Sequence, residues 1–178
     1  MLGGDKLLED VDGAPLLHVL CTRALEVGPV VVTLPEATDH PRRSAVPDGV
    51  LTVPVDGQMS DSIRAGLAAL PATATGVIVL PADMPDITSD DLMSVRSAVA
   101  AGVNVVRATT EDGKPGHPIY FARETFPAFD ALEGDRGAFR VCAQFEDSTI
   151  FVRLNGQRAR LDLDTPAEWD AYRKGLTQ

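Results

Sequence analysis

The segment GVIVLPADMPD, residues 76–86, joins the most strongly apolar run of the chain to an acidic loop. Its first five residues are typical of a strand that is buried on both faces of a sheet. The prolines and aspartates that follow are typical of a turn. Because ligands of open α/β sheets bind beyond the carboxyl ends of the strands, Asp83 lies where a functional side chain is expected.

Strand-like and helix-like segments alternate on both sides of residues 76–80. The pattern predicts further strands at 29–34, 50–55, 103–108, 118–122, 149–154 and 160–163. It predicts helices from 16 to a closing Gly28, at 60–70, 89–101 (with Ser89 as N-cap), 125–132 and 137–145, and after the capping box at 165–168. This alternation indicates an α/β fold with three layers, in which helices cover both faces of a mostly parallel sheet. The second half is predicted to add an antiparallel edge, and residues 1–178 are predicted to form a single domain.

The amino-acid composition argues against some classes of binding partner. The chain has 178 residues, of which 44% are hydrophobic, and a formal net charge of −10. This acidic balance argues against nucleic acid or an anionic membrane as the main partner, although one metal ion and a few basic side chains would suffice for a nucleotide. Cys21 and Cys142 are far apart and lack metal-binding spacing, so they indicate free thiols. Without a signal-peptide pattern or a membrane-length apolar run, the sequence predicts a cytoplasmic protein.

Aspartates in two distant segments are candidate metal ligands. Asp83 follows a buried strand, and carboxylate oxygens are the ligands that Mg²⁺ prefers. Asp162 and Asp164 alternate along the predicted strand at 160–163 and its end, so they are expected on one face. Each observation has a simpler reading, since Asp83 could cap a turn and the pair could be solvated.

The first residues form a candidate phosphate-binding segment. Gly3 and Gly4 would let backbone amides approach a phosphate, and Lys6 would supply a positive charge. Glycine pairs followed by a lysine are common, so the segment alone is a weak signal.

Three more segments carry polar side chains at predicted element ends. In GQMSDS, residues 57–62, the hydroxyls of Ser60 and Ser62 could bond a ribose or base, although Ser60 could equally cap the helix. His117 precedes a strand and could contact substrate or metal, or it could be structural. Arg136 lies in a loop that enters a helix, where it could bind an anion or be solvated.

Taken together, these segments resemble the molybdenum cofactor nucleotidyltransferase family, and most closely its cytidylyltransferase branch. The resemblance covers nearly the whole chain, and its motifs occur in the family's order: GGDKLL at 3–8, GQMSDSIRAGL at 57–67, ADMP at 82–85, GHP at 116–118, GDRGA at 134–138 and DLDTP at 162–166. It implies a Rossmann-like fold of the nucleoside triphosphate (NTP) transferase type.

The resemblance also implies a reaction, in which the phosphate of a molybdopterin-type substrate attacks the α-phosphorus of an NTP and pyrophosphate leaves. Mg²⁺ would be held by Asp83 together with Asp162 or Asp164, and Lys6 would offset triphosphate charge. The implied nucleotide-binding residues are Gly3, Gly4, Lys6, Gly57, Ser60 and Ser62. The implied acceptor-binding residues are Gly116, His117 and Arg136.

This chain departs from the family at its start. The family begins with a strand, central in the sheet, and a loop rich in glycine and arginine; both are expected to be absent from this chain. The loop would discriminate between bases, so both CTP and GTP stay open as the nucleotide. The acceptor could also be a sugar phosphate or a polyol phosphate, and the chain could be a non-catalytic relative that delivers cofactor or binds a molybdoenzyme.

Overall fold

The structure, a computed structural model, describes residues 5–132 and 138–175. Its strands are β1 (Asp10–Val11), β2 (Ala14–Pro15), β3 (Val31–Leu34), β4 (Leu51–Pro54), β5 (Gly76–Val79), β6 (Val105–Thr109), β7 (Pro115–Ala122) and β8 (Thr149–Arg153). Its α-helices are α1 (Leu16–Leu25), α2 (Met59–Ala68), α3 (Ser89–Ser97), α4 (Phe139–Gln144) and α5 (Pro166–Arg173). Short 3₁₀ helices occur at Lys6–Leu8, Pro41–Ala45, Arg123–Phe129 and Glu146–Ser148. No helix in the described part of the chain is long and apolar enough to cross a membrane.

The strands form a four-stranded mixed sheet and two separate pairs. The four-stranded sheet has the order β5-β7-β6-β8, and β7 is antiparallel to both of its neighbours. β6 and β8 are parallel, so β5, β6 and β8 all run in one direction. β3 and β4 form a parallel pair, and β1 and β2 form a short hairpin. The predicted α/β class is therefore confirmed.

Helices cover both faces of the four-stranded sheet, because alternate residues of each strand point to opposite faces. One face packs on α1, α3 and α5, and its core includes Val106, Ala108, Leu16, Val95 and Trp169. The other face packs on α2, α4 and the 3₁₀ helix Arg123–Phe129, and its core includes Val105, Ile119, Phe121, Phe129 and Val141. This arrangement gives the three predicted layers.

β3 and β5 each pair on one side only. Within residues 5–132 and 138–175, β3 pairs with β4 and β5 pairs with β7, and no strand pairs with the other edge of either. The two sheets are instead joined through helices. The side chains of α1 pack against both Leu34 and Ile78, and α2 places Gly66 on Thr33 and Leu67 among the residues around Val77.

The antiparallel strand occupies a different place from the prediction. β7 lies inside the sheet, between β5 and β6, and does not form an edge. Five of its last six residues have burial typical of an interior strand, since only His117 among residues 117–122 is not fully buried. The apolar run at 118–122 indicates that this strand is buried inside the sheet, but a continuous apolar run does not reveal strand direction.

The predicted strand at 160–163 is wrong. The backbone N–H groups of Arg160 and Leu161 both donate to the carbonyl of Gln157, at 2.8 and 3.0 Å, so the chain makes a turn there. Two helices also differ in detail. The segment predicted as a helix at 125–132 is the 3₁₀ helix Arg123–Phe129, and α3 begins after Thr88 as its N-cap and ends at Ser97.

Candidate active site

The candidate site lies at one end of the four-stranded sheet. β5 and β6 run in the same direction and β7 in the opposite one, so the carboxyl ends of β5 and β6 lie beside the start of β7. This edge collects Asp83 from the loop after β5, Arg107 from the middle of β6 and His117 from the start of β7. It is the edge at which ligands of open α/β sheets bind.

Lys6 joins two carboxylates that are far apart in sequence. Its Nζ donates hydrogen bonds to Asp83 Oδ2 at 2.7 Å and to Asp164 Oδ1 at 2.6 Å. The side chains of Lys6, Asp83 and Asp164 are 36%, 23% and 65% exposed, so the cluster opens to solvent. The structure therefore brings together three of the predicted site residues, from the two ends and the middle of the chain.

The ammonium of Lys6 stays charged in this arrangement. Partial burial lowers its pKa, but the hydrogen bonds to Asp164 and Asp83 outweigh burial and leave the pKa above its usual value. The ammonium between them offsets part of the repulsion between the two carboxylates, which carry like charges. The same two carboxylates could bind a different cation if the ammonium moved away.

The segment that carries Lys6 is fixed by a neighbouring ion pair. Asp5 accepts hydrogen bonds from the Nε and Nη2 of Arg42, at 2.5 and 2.9 Å, and from the backbone N–H of Leu7 at 3.1 Å. Burial raises the pKa of Asp5, but these bonds outweigh it and lower the pKa overall. Sequence reasoning missed Arg42, because no spacing rule links it to Asp5.

The loop that carries Asp83 is fixed from α1. Arg23 donates from Nη1 to the carbonyls of Pro85 and Ile87, at 2.6 and 2.8 Å. Met84 and Ile87 are buried beside it, so the loop is anchored in the core while Asp83 remains accessible. The alternative that Asp83 only caps a turn does not describe its contacts, since its side chain bonds Lys6.

Asp162 and Asp164 differ in their contacts. Both flank the buried Leu163 and are more exposed than it is, so they point away from the core, although they lie in an irregular segment and not in a strand. Of the two, Asp164 bonds Lys6. Its backbone N–H donates to Glu168 Oε2 at 2.9 Å, which ties this aspartate to the start of α5.

The predicted nucleoside segment begins α2. Gly57 has φ +150°, and a Cβ there would lie 2.4 Å from Asp61 Oδ2, so the turn requires glycine. Asp61 accepts a hydrogen bond from the N–H of Gln58, which is the N-cap residue, so the alternative of capping by Ser60 is wrong. Ser60 is buried and Ser62 is half-buried in the first turn. Their predicted contact with a nucleoside stays a prediction.

The predicted acceptor residues Gly116 and His117 lie at the start of β7. A Cβ on Gly116 would overlap the carbonyl oxygen of Ala159, so glycine lets two backbones touch, and His117 N–H donates to that carbonyl at 2.8 Å. Burial, with a smaller effect of Arg107, lowers the pKa of His117 to about 4, against an opposing effect of Asp83. The imidazole is therefore neutral at pH 7. Arg136, Gly3 and Gly4 lie outside the described residues.

Arg107 and Arg160 are basic residues of this edge that sequence reasoning missed. Arg107 is half-buried, and its Nε donates to the carbonyl of Gly116 at 3.2 Å. The Cγ of Arg160 lies 3.0 Å from the Cβ position at Gly116. No motif marks either residue, but an arginine inside a predicted strand such as 103–108 was an available signal.

The donor set fits a hard divalent cation with few protein ligands. Asp83 and Asp164 supply two carboxylates, and no cluster of three or more acidic, histidine or cysteine side chains occurs among the residues that the structure describes. Mg²⁺ is commonly held by one or two carboxylates, and water and substrate phosphates complete its shell. The chemistry of the two carboxylates thus suits Mg²⁺ together with a phosphate ligand.

An α/β sheet with carboxylates, a lysine and arginines at its carboxyl edge has the side chains that suit an anionic ligand and its cation, and a comparison of the sequence with protein families identifies the class. Residues 1–149 match the MobA-like NTP transferase domain. The chain belongs to this family, which supports nucleotidyltransferase activity. Among curated proteins, none matches the sequence.

Solved structures agree with the family. Rv0371c from Mycobacterium tuberculosis H37Rv is 27% identical, with a TM-score of 0.82 over 99% of this chain and 92% of that one. A complex of Rv0371c with manganese is 26% identical, with a TM-score of 0.80 over 99% and 94%. A 2-C-methyl-D-erythritol 4-phosphate cytidylyltransferase from Thermus thermophilus, 17% identical with a TM-score of 0.67 over 98% and 95%, shares the fold.

Proposed function

We propose that this chain transfers cytidylate from CTP to the phosphate of a molybdopterin-type acceptor and releases pyrophosphate. The single observation that carries the proposal is the convergence of Asp83 and Asp164 on the Lys6 ammonium, at 2.7 and 2.6 Å. Membership of the NTP transferase family supports the reaction class. The cytidine base and the pterin acceptor rest on the resemblance of the motifs, and a molybdoenzyme would then receive the product.

The carboxylates of Asp83 and Asp164 would hold Mg²⁺, and of the two aspartates that the resemblance offers as second ligand we choose Asp164, because it bonds Lys6. When bound, the cation would neutralise charge on the triphosphate oxygens. Lys6 would leave the carboxylates and bond the triphosphate, since its ammonium is a mobile point charge on a long side chain. The backbone of Gly3 and Gly4, and the turn at Gly57 with Ser60 and Ser62, would contact the rest of the nucleotide.

The acceptor would lie beside His117, Gly116 and Arg136. An oxygen of its phosphate forms a bond to the α-phosphorus while the bond from the α-phosphorus to the bridging oxygen of pyrophosphate breaks. No side chain has to form a covalent intermediate, so positioning and charge stabilisation account for the rate. The neutral His117 would bond the acceptor without adding positive charge.

The decisive experiment compares three aspartates. Asp83→Asn and Asp164→Asn keep the shape of the side chain but remove the charge, so each is expected to lower pyrophosphate release with CTP and Mg²⁺ by about 10²–10³-fold. Asp162→Asn is the matched control, because it removes the same charge two residues from Asp164, the residue that bonds Lys6. It is expected to change the rate by less than about threefold.

The same assay, run with the four common NTPs and a molybdopterin acceptor, tests the nucleotide and the acceptor. CTP is expected to give the highest kcat/KM. Full activity of Asp83→Asn, or equal losses at Asp162 and Asp164, would remove the proposed cation site. A preference for GTP would keep the reaction class and change the nucleotide.

A further inference from the structure

The guanidinium of Arg107 is held in an unusual place for a cation. Arg107 lies in β6 between Val106 and Ala108, both of which are 0% exposed. Its side chain packs over the ring of Phe139, with 5.3 Å from Cζ to the ring centroid. Burial lowers its pKa, and the positive charge of Arg160 acts in the same direction. Burying the charge of Arg107 therefore lowers the stability of the folded protein unless a bound partner offsets the desolvation cost.

Nothing in the described part of the chain neutralises that charge. The one side-chain hydrogen bond that Arg107 makes there is from Nε to the carbonyl of Gly116, so its Nη hydrogens have no acceptor among the described residues. By contrast, Arg42 and Arg64 each pair with a carboxylate. In a chain with a net charge of −10, an arginine that has no carboxylate partner within residues 5–132 and 138–175 is a specific arrangement.

A second arginine lies on the other side of the same glycine. The carbonyl of Gly116 accepts the hydrogen bond from Arg107, and the side chain of Arg160 lies beside the Cα of the same glycine. Arg160 makes no side-chain ion pair with the described residues, and its charge acts on Arg107. Two arginines whose charges repel, and which have no carboxylate partner in the part of the chain that the structure describes, favour an anion close to both.

Aromatic rings border this pair of arginines. Phe151 is the register partner of Arg107 in the parallel β6–β8 ladder, so the two side chains lie on the same face of the sheet. Phe139 and Phe151 are 63% and 56% exposed, which is unusual for phenylalanine. The surroundings thus suit an organic anion with a flat group better than a free inorganic ion.

We propose that Arg107 and Arg160 bind the phosphate of a phosphomonoester whose flat ring packs on Phe139 and Phe151. The site adjoins the Asp83 cluster through His117, on which both Arg107 and Asp83 act electrostatically. In the proposed reaction, on which this assignment rests, the ligand is the acceptor. Arg107 then orients the attacking phosphate, while the carboxylates serve the nucleotide.

The test is a calorimetric titration of the full chain with phenyl phosphate at low ionic strength, without nucleotide. Arg107→Gln is expected to weaken binding by about 10- to 100-fold, as expected for the loss of charge-assisted hydrogen bonds. Arg160→Gln is expected to weaken it several-fold. Arg107→Lys keeps the charge without the planar fork, so it is expected to fall between Arg107→Gln and the unchanged protein.

Arg123→Gln is the matched control. Arg123 also lies over a phenylalanine ring, Phe126, at 5.8 Å, and it also donates to a backbone carbonyl, that of Ala74. Its removal deletes the same charge and the same type of stacking, and it is expected to leave phenyl phosphate affinity unchanged. Phenol, which lacks the phosphate, is expected not to bind.

Equal affinity of Arg107→Gln and the unchanged protein overturns the site, as does an equal loss in Arg123→Gln. Inorganic phosphate that binds as tightly as phenyl phosphate overturns the role of the rings. If Lys6→Met weakens the binding of phenyl phosphate and Arg107→Gln does not, the anion occupies the triphosphate position and the assignment fails. If Asp83→Asn loses transfer activity but Arg107→Gln still binds phenyl phosphate normally, this inference alone is contradicted. If Asp83→Asn keeps transfer activity but Arg107→Gln loses phenyl phosphate binding, the proposed function alone is contradicted.

Discussion

At the scale of single residues, Lys6 holds the position that a metal ion would take between two carboxylates. The ammonium already lies between Asp83 and Asp164, so a divalent cation must displace it to bind both carboxylates. A triphosphate that attracts the ammonium would free both carboxylates. Nucleotide and cation are therefore expected to strengthen each other's binding, as linkage requires.

Lys6→Met is expected to raise the affinity for Mn²⁺ in the absence of nucleotide by at least about tenfold, because it removes a positive charge from between two carboxylates. The same change is expected to weaken the binding of CTP. Calorimetry with Mn²⁺ alone and with CTP alone measures both effects. Lys114→Met is the control, since Lys114 pairs with Asp112 instead, at 2.8 Å. Unchanged or weaker Mn²⁺ binding in Lys6→Met would contradict the competition.

His117 makes the stability of the protein depend on pH. Its pKa is about 4 in the folded protein, below the usual 6.5, chiefly because of burial. Between these values the unfolded chain binds more protons, so stability is complete above pH 6.5 and falls as the pH approaches 4. The shift corresponds to about 2 kcal/mol at pH 5.

His117→Gln, which cannot titrate, is therefore expected to lose less stability than the unchanged protein between pH 7 and pH 5. Urea unfolding at both pH values measures the difference. His18→Gln, on α1, serves for comparison, and an equal effect there would show that His117 is not responsible.

At the scale of elements, the sequence predicted β3, β4, β5, β6, β8 and α2 to within about two residues. These elements have strong apolar periodicity bounded by glycine, proline or serine, and tertiary packing did not override them. The failures have local causes. Residues 160–163 alternate like a strand, yet the N–H groups of Arg160 and Leu161 donate to the carbonyl of Gln157 in a turn. The sequence does not predict the hairpin β1–β2, because each of its strands has only two residues. The turn between them runs through Asp12 and Gly13, both with positive φ.

The sequence predicted the part of the site that directly follows the end of a strand. Asp83 follows β5, the strongest strand, so its place at the carboxyl edge came from sequence alone. That Lys6 lies between Asp83 and Asp164 depends on folding over 77 and 158 residues, and no local pattern encodes it. The basic side of the site was predicted only as His117 and Arg136. Arg107 lies inside β6, where an arginine looks like an irregularity until its neighbours are known.

At the scale of the whole molecule, charge is unevenly distributed. The net charge of −10 keeps anions away from most of the surface. Lys6, Arg107 and Arg160 are concentrated at one edge, beside the carboxylates of Asp83 and Asp164. An acidic protein can thus present a small positive region to a phosphorylated ligand and a negative one to its cation at the same edge of the sheet.

The separation of the two sheets has a consequence for motion. β6 and β7 have hydrogen-bonded neighbours on both sides, whereas in the described part of the chain β3 is held by β4 alone and meets β5 only through α1 and α2. Among the strands that the structure describes, no ladder joins the β3–β4 pair to the four-stranded sheet, so this pair can open as a unit. Backbone amides of Val31–Leu34 are expected to exchange with deuterium at least about tenfold faster than those of Val105–Thr109. Equal protection of the two strands would mean that the helices alone bind the halves into one cooperative body.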